Sequence, residues 1–572
     1  MEVLGLLIGV PGLVQTCLHG YRTLVRATHM SKDFEQIYAQ LRLQEARLIQ
    51  IAHGWGLDII QPEGDISVVA RPIPDNLHHE LQLDQARIFE EPVKAALQQI
   101  SVILVDSERF TARYGLIQSP KGTERNSPFK RLSIRRVTWS LLDKEAFTQL
   151  VQNLGIFNDA LERFMPLVQR HTLSMALSVH FSETCSAEEL EQLLKSATGK
   201  YQALQQNLDL RSFQTRMEKD TESIWAQPSL GIPTSIAPLG GSEFPPNEAR
   251  SWAKFWKDTA FGSIMTISMV EWKSYDEQAD DSKKTMIRER VEKLANLLHH
   301  AASNSTNLRI LDCVKTFDNV EHSRVGFVLE VPRSLTRSIS MNPGTSPKCT
   351  TLHSLLGAKV AALQVPDLGS RISLAALLAR SLLQLHASGW LHKGMRSDNI
   401  LFFHIEDDDE EGRTTSAQHS PPDISDPYIA GFDYSRPDSS IAMTETLATY
   451  HKYQDYYRHP NSIANIGEAN PITTRYRRAF DVYSLGCVLL EIGLWRRLEE
   501  FWKPTYTPAS FRDRLIRVYT RDLARLCGKK YEAVTRLCLE KLANGDMDPE
   551  TDRASLHEFY QDVVCQLQSC IV

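Results

Sequence analysis

The chain has 572 residues, 42% of them hydrophobic and 23% charged, with a formal net charge of -6. That length exceeds one ordinary core and asks for several domains, and the composition excludes a disordered chain. The negative balance excludes a general attraction to nucleic acid, so any basic surface has to be local.

In chain order, the first element is Val3 to Val14 (VLGLLIGVPGLV), almost wholly apolar. Met1-Glu2 supplies no basic leader, Pro11 interrupts the run, and Gln15, His19 and Arg22 follow soon after. The segment therefore falls short of the ~20 apolar residues of a spanning helix, and a soluble resting protein is expected. One-sided stripes then predict helices: Leu13, Cys17, Leu18, Tyr21, Leu24 and Val25; Phe34, Ile37, Tyr38, Leu41, Leu48 and Ala52; Val93, Leu97, Ile100 and Leu104. A longer stripe runs Trp139, Leu142, Ala146, Leu150, Leu154, Phe157, Leu161 and Phe164. An isolated helix cannot hide such a stripe, so a bundle is expected over residues 1–225. Between helices, Lys121 to Arg136 carries six basic residues against one acidic. It reads as a solvated loop, with anionic lipid as the alternative partner.

Residues 226–250 are dense in proline, glycine and serine and read as a linker. From Ser251 the pattern changes to short β-like runs followed by helices. "SIMTISMVEWK" predicts a strand ending in Lys273, and "KTMIRERVEKLANLLHH" a helix bearing Glu289 and Glu292. "LRILDCVKTF" and "VGFVLEVP" predict two more strands, and "ISLAALLARSLLQLHASGWLH" an apolar helix. Glu406 to Glu411 are six consecutive acids, whose mutual repulsion reads as a hydrated loop rather than a metal site. Nine single cysteines without a C-x-x-C pair point to reduced thiols and a cytoplasmic protein, and the histidines and cysteines show no zinc spacing.

Two resemblances follow from these phrases. "MEVLGLLIGVPGLVQTC", "DFEQIYAQLRLQEARLIQIAHGWGL", "FTARYGL" and "VTWSLLDKEAFTQLVQNLGIFNDALERFMP" resemble the HeLo domain of fungal prion-inhibition and propagation proteins over roughly residues 1–205. That resemblance implies a helical bundle whose N-terminal apolar segment, in some relatives, is released to engage membranes and kill the cell. Residues 251–570 resemble a protein kinase, with a small lobe over about 251–332 and a large lobe over about 350–570. "LHKGMRSDNILFF" lies against the signature H-R-D-L-x-x-x-N as His392, Lys393, Gly394, Met395 and Asn399, and "GFD" stands where kinases carry D-F-G. The resemblance gives Lys273 to nucleotide phosphates with Glu289 or Glu292 as its partner, and Asp481 to bracing the loop.

Both acids of phosphoryl transfer are absent from their places. Gly394 replaces the carboxylate that orients the incoming hydroxyl, and Gly431 replaces the one that holds Mg²⁺. Asn399 offers a metal only a neutral oxygen, and no G-x-G-x-x-G precedes Lys273. Asp398 is a candidate stand-in base, Asp433 a candidate metal ligand, and Arg396 occupies the place of a kinase lysine. The expectation is a multidomain protein, an all-α HeLo-like bundle followed by an α+β bilobal pseudokinase, with ATP, with or without Mg²⁺, as the candidate ligand. The bundle is expected to bind protein partners, to homo-oligomerise on activation and to contact anionic membranes, with no nucleic-acid partner. An active serine/threonine kinase with rearranged acids, and a plain scaffold, are the alternatives.

Overall fold

The computed structural model describes residues 7–28, 35–60, 66–71, 87–113, 144–196, 200–219, 229–230, 233–259, 262–278, 280–304, 308–341, 345–356, 365–407, 423–432, 435–437, 455–463, 476–540 and 556–570. The chain divides into two compact units, Met1–Asp209 and Leu210–Val572.

The first unit is helical. Its helices are α1 (Val10–Thr28), α2 (Glu35–Gly54), α3 (Glu90–Arg113), α4 (Lys144–Glu162), α5 (Leu167–Thr184), α6 (Ala187–Ser196) and the start of α7 (Gln202–Lys219), with a small antiparallel hairpin, β1 (Leu57–Ile60) and β2 (Ser67–Ala70). Pro11 sits in the first turn of α1, where its missing N–H costs no helical hydrogen bond. Val10, Val14, Cys17, Leu18, Tyr21 and Leu24 recur at helical spacing and are fully buried in one core, together with Leu41, Leu48, Leu97, Ile100 and Leu154. The apolar N-terminal run thus packs Leu7, Val10 and Val14 inward while Ile8 faces water. No described helix is long and apolar enough to cross a membrane.

One predicted stripe needs correction. In α4 the buried apolar residues are Phe147, Val151, Leu154 and Leu161, whereas Ala146 is exposed and Leu150 and Phe157 are only partly covered. Small Ala146 has little area to hide, so the larger Phe147 sets the rotation of the helix. The hairpin was not foreseen. Trp139, Leu142, Phe34 and the basic 121–136 stretch lie outside the described residues. One polar cluster crosses the core: Arg47 of α2 is ion-paired with Asp159 and Glu162 of α4, and Glu162 also accepts from Tyr201 Oη at 2.6 Å.

The second unit mixes sheets and helices. Its main sheet has the order β3-β7-β8-β6-β5-β4, built from β3 (Ser229–Leu230), β4 (Ile236–Pro238), β5 (Arg250–Thr259), β6 (Gly262–Ser274), β7 (Asp312–Asn319) and β8 (Arg324–Glu330). Apart from the parallel β3–β7 pair its strands run antiparallel, and α8 (Asp281–Asn304) follows β6 and packs on β7. Two of these strands, β3 and β4, fall inside the 226–250 stretch that reads as a linker. Their presence there is a tertiary effect: a strand of two or three residues has no period to detect, and only its pairing with a neighbour defines it.

Beyond this sheet come α9 (Arg333–Met341), β9 (Thr345–Thr351), α10 (Leu352–Leu356), α11 (Leu368–Ala387), β10 (Trp390–Leu391), β11 (Ile400–Asp407), β12 (Tyr428–Ile429) and β13 (Arg436–Pro437), with β9, β11 and β12 forming a three-stranded sheet and β10 pairing β13. The remaining helices are α12 (Arg478–Leu494), α13 (Pro508–Arg514), α14 (Thr520–Leu526), α15 (Lys529–Leu539) and α16 (Cys565–Gln568). α12 is buried from Ala479 to Gly493, and α11 and α15 pack against it. An all-round buried helix of this kind holds the neighbouring loops in place.

Candidate functional site

The loop from Leu391 to Asn399 leaves β10 and enters β11 beside α12, and one carboxylate organises its start. Asp481, at the first turn of α12 and fully buried, accepts hydrogen bonds from the His392 amide and the Lys393 amide at 2.8 Å each, from Tyr476 Oη at 2.8 Å, and from His386 Nε2 at 3.1 Å. Burial opposes its charge, but the donors around it outweigh that and hold its carboxyl below the usual range. Lys393 adopts a left-handed φ of 63°, which turns both amides toward the same carboxylate. His392 is buried, and burial pushes its imidazole down to about 4 against the pull of Asp481, so it is neutral at pH 7. Its Nδ1 accepts the Gly394 amide at 3.1 Å and its ring meets Phe432 edge-on at 4.5 Å. This is the floor of the site.

The roof comes from the main sheet. Arg250 and Glu271 are directly opposed in the β5–β6 ladder, and Arg250 Nε donates to Glu271 Oε2 at 3.0 Å. The same guanidinium donates from Nη1 to the Asp398 carbonyl at 3.0 Å and from Nη2 to Asn399 Oδ1 at 2.5 Å. Glu271 in turn accepts the Gly431 amide at 3.0 and 3.1 Å on its two oxygens. Asn399 Nδ2 donates to the Gly394 carbonyl at 2.7 Å, and its carbonyl accepts the Ala430 amide at 2.8 Å. Arginine, glutamate, asparagine and the two loops form one closed circuit.

The two glycines are integral to that circuit. A Cβ on Gly431, whose φ is +79°, would stand 1.9 Å from Asn399 Nδ2. A Cβ on Gly394 would stand 2.6 Å from the Gly431 carbonyl oxygen. At contacts under 3.0 Å something must shift, and here it would be backbone or a side-chain amide already hydrogen-bonded at both ends. The loops approach this closely only because both positions lack side chains.

Mg²⁺ does not fit these residues. Neither glycine supplies a carboxylate, and both ends of the Asn399 amide are already hydrogen-bonded. The guanidinium 2.5 Å from Asn399 Oδ1 would repel a dication brought to the same oxygen. Behind the Gly431 turn, a small cavity lined by Glu271, Leu298, Leu311, Phe327, Leu329, Ile429, Ala430 and Phe432 leaves about 10 Å³ for the centre of a water molecule, room for about one water. The segment between β4 and β5 carries Gly240 and Gly241, but it is fastened away from Lys273. Phe244 packs on Trp272 with ring centroids 5.2 Å apart, and Arg324 lies 3.9 Å over the Trp272 ring while donating to the Phe244 and Pro246 carbonyls. Strand alternation puts Trp272 and Lys273 on opposite faces of the sheet.

The other candidates separate as follows. Lys273 and Glu292 are both buried and Glu289 is exposed, which distinguishes two glutamates that sequence leaves equivalent. Burial and the neighbouring Glu289 lift the Glu292 carboxyl above its ordinary range. Asp398 is held 3.5 Å from His353 Nδ1 and 3.6 Å from Arg396 Nε, so the stand-in acid and Arg396 are engaged with each other. Asp433 and acids 408–411 lie outside the described residues. Among the described residues no group of three or more His, Cys, Asp or Glu side chains gathers as a metal site. Sequence reasoning missed Arg250 and Glu271. The signal for Glu271 was present, a lone acid within the otherwise apolar "MVEW", two residues before Lys273 and hence on its face of the strand. Arg250 offers no local signal, because its partners lie 21, 148 and 149 residues away.

The model of the HeLo family, prion-inhibition and propagation, matches residues 3–194, and the model of a domain of unknown function, DUF7580, matches residues 254–570. The chain belongs to the DUF7580 family and carries a HeLo domain. No curated protein matches it. The helical first unit is the body of the HeLo domain. In the second unit the DUF7580 match includes Glu271, Gly394, Asn399, Gly431 and Asp481, while Arg250, which closes the site, precedes it.

Proposed function

We propose that the HeLo domain is an effector and interaction module of fungal signalling or incompatibility, and that the DUF7580 unit is a kinase-like, non-catalytic domain that controls it. The HeLo match supports the first half. Support for the kinase-like half comes from the antiparallel order β7-β8-β6-β5-β4 with a helix inserted after the Lys273 strand, and from the Asp481 brace under the His392 loop. Self-association on activation and contact with anionic membranes belong to the same reading of the bundle.

The observation that carries the non-catalytic part is the Arg250 circuit. A fixed internal cation stands against Asn399, and two glycines are packed too closely to be replaced by acids. This arrangement has the structural braces of a phosphotransferase and lacks its charges. The test is a thermal melt of the full chain with ATP, with and without Mg²⁺, alongside incubation with labelled ATP. No rise in Tm and no incorporation are expected, since a ligand that binds only the folded form raises Tm. Incorporation abolished by Lys273→Ala would establish an active kinase, and a nucleotide-dependent rise in Tm would establish a binding site that the circuit ought to block.

A further inference from the structure

α13 and α14 are joined by a π-helical turn, Leu515–Tyr519, into one helical run from Pro508 to Leu526. Leu515, Ile516, Thr520 and Leu523 point into the unit and are buried. Arg514, Arg517, Arg521 and Arg525 are exposed on the other side, spread along about 16 Å of helix. None of the four has an ion pair or hydrogen bond among the described residues. Lys529 and Lys530 follow at the start of α15, so six cations stand with only Asp513 and Asp522 over residues 513–530, in a chain of net charge -6. Val518 and Leu526, 37% and 40% exposed, lie among the arginines.

We propose that this arginine face docks on the anionic phospholipid surface of a membrane. Guanidinium groups without internal partners match phosphate oxygens in two-pronged geometry. A convex row of cations meets a flat polyanion along its whole length, and each cation near such a surface strengthens partitioning roughly fivefold. The apolar residues decide between polyanions: Val518 and Leu526 gain from the boundary of headgroups and acyl chains and gain nothing from a phosphodiester backbone. Single-stranded nucleic acid would call for a groove with free aromatic platforms, and the nearest ring, Tyr519, is packed on Phe501 at 4.3 Å. This surface is separate from the cleft and does not depend on whether the cleft binds nucleotide.

The test uses the full chain, sedimented with vesicles of phosphatidylcholine alone or mixed with phosphatidylserine, at low and high salt. The variant combines Arg517→Glu, Arg521→Glu and Arg525→Glu, with circular dichroism and Tm to establish that it folds. Salt-sensitive binding to the anionic vesicles is expected, with a fall of about a hundredfold or more in the variant. Should the triple variant fail to fold, single Arg521→Ala is expected to weaken binding roughly fivefold. Equal binding by wild type and variant would assign the membrane contact elsewhere in the chain and overturn the proposal. So would the absence of vesicle binding, or preferential binding of a single-stranded RNA competitor.

Discussion

At the floor of the site, Asp481 is a buried charge that gathers donors from both sides of the His392 loop, whereas at its roof the charge is Arg250, whose side chain is only partly covered, and the donors are its own. The floor holds the backbone of one loop through the amides of His392 and Lys393. The roof draws two loops together until no acid can stand between them. Charge serves both regions, but at the floor it orders one loop and at the roof it ties two loops together.

The sharpest way to break this contrast is to remove the floor. Asp481→Ala leaves two amides, a tyrosine hydroxyl and His386 without their acceptor, and should lower the stability of the DUF7580 unit by about 3–5 kcal/mol, read as a shifted urea midpoint. Loss of under about 1 kcal/mol would mean the loop is held by something else. Gly431→Asp should be next, at about 2–4 kcal/mol, since it combines a left-handed φ with overlap on Asn399. This variant should also fail to gain Mg²⁺-dependent stabilisation by ATP. If it gained it, the roof would be an ordinary site lacking one acid rather than a closed one.

Arg250→Ala should cost less, about 1–3 kcal/mol, because Glu271 keeps the Gly431 amide and solvent can reach part of the vacated space. The smallest effect is the pH profile, and its sign follows from the buried groups. Burial lowers His392 from 6.5 to about 4 and His459 from 6.5 to about 3, so the unfolded chain binds more protons below pH 6.5 and stability falls as pH drops from there. Burial raises Glu491 from 4.5 to about 8, so the folded form holds the extra proton and stability falls as pH rises from 4.5 toward 8. Below 6.5 the two histidines outweigh the glutamate; above it Glu491 acts without them. The melting temperature of the second unit should peak near about pH 6.5, and Glu491→Gln should remove the alkaline decline, as followed by calorimetry.

What the sequence determined by itself is what repeats or substitutes locally. Helical periodicity marked α1, α2 and α3 because a buried face recurs every three or four residues, and the loss of carboxylates at Gly394 and Gly431 is visible in the letters. Only at the start of α4 was the register displaced by one residue, because Ala146 and Phe147 are both apolar and differ in how much area each can bury, while Leu154 and Leu161 are buried as the stripe places them. Tertiary structure alone decided that Arg250 bridges Glu271 to the Asp398–Asn399 loop, that two short strands in a proline-rich stretch join the sheet, that Glu292 rather than Glu289 turns inward, and that the 514–525 arginines share a solvent face. Each of these depends on pairing or packing between distant segments, and the energy of such contacts leaves no period in the chain that makes them.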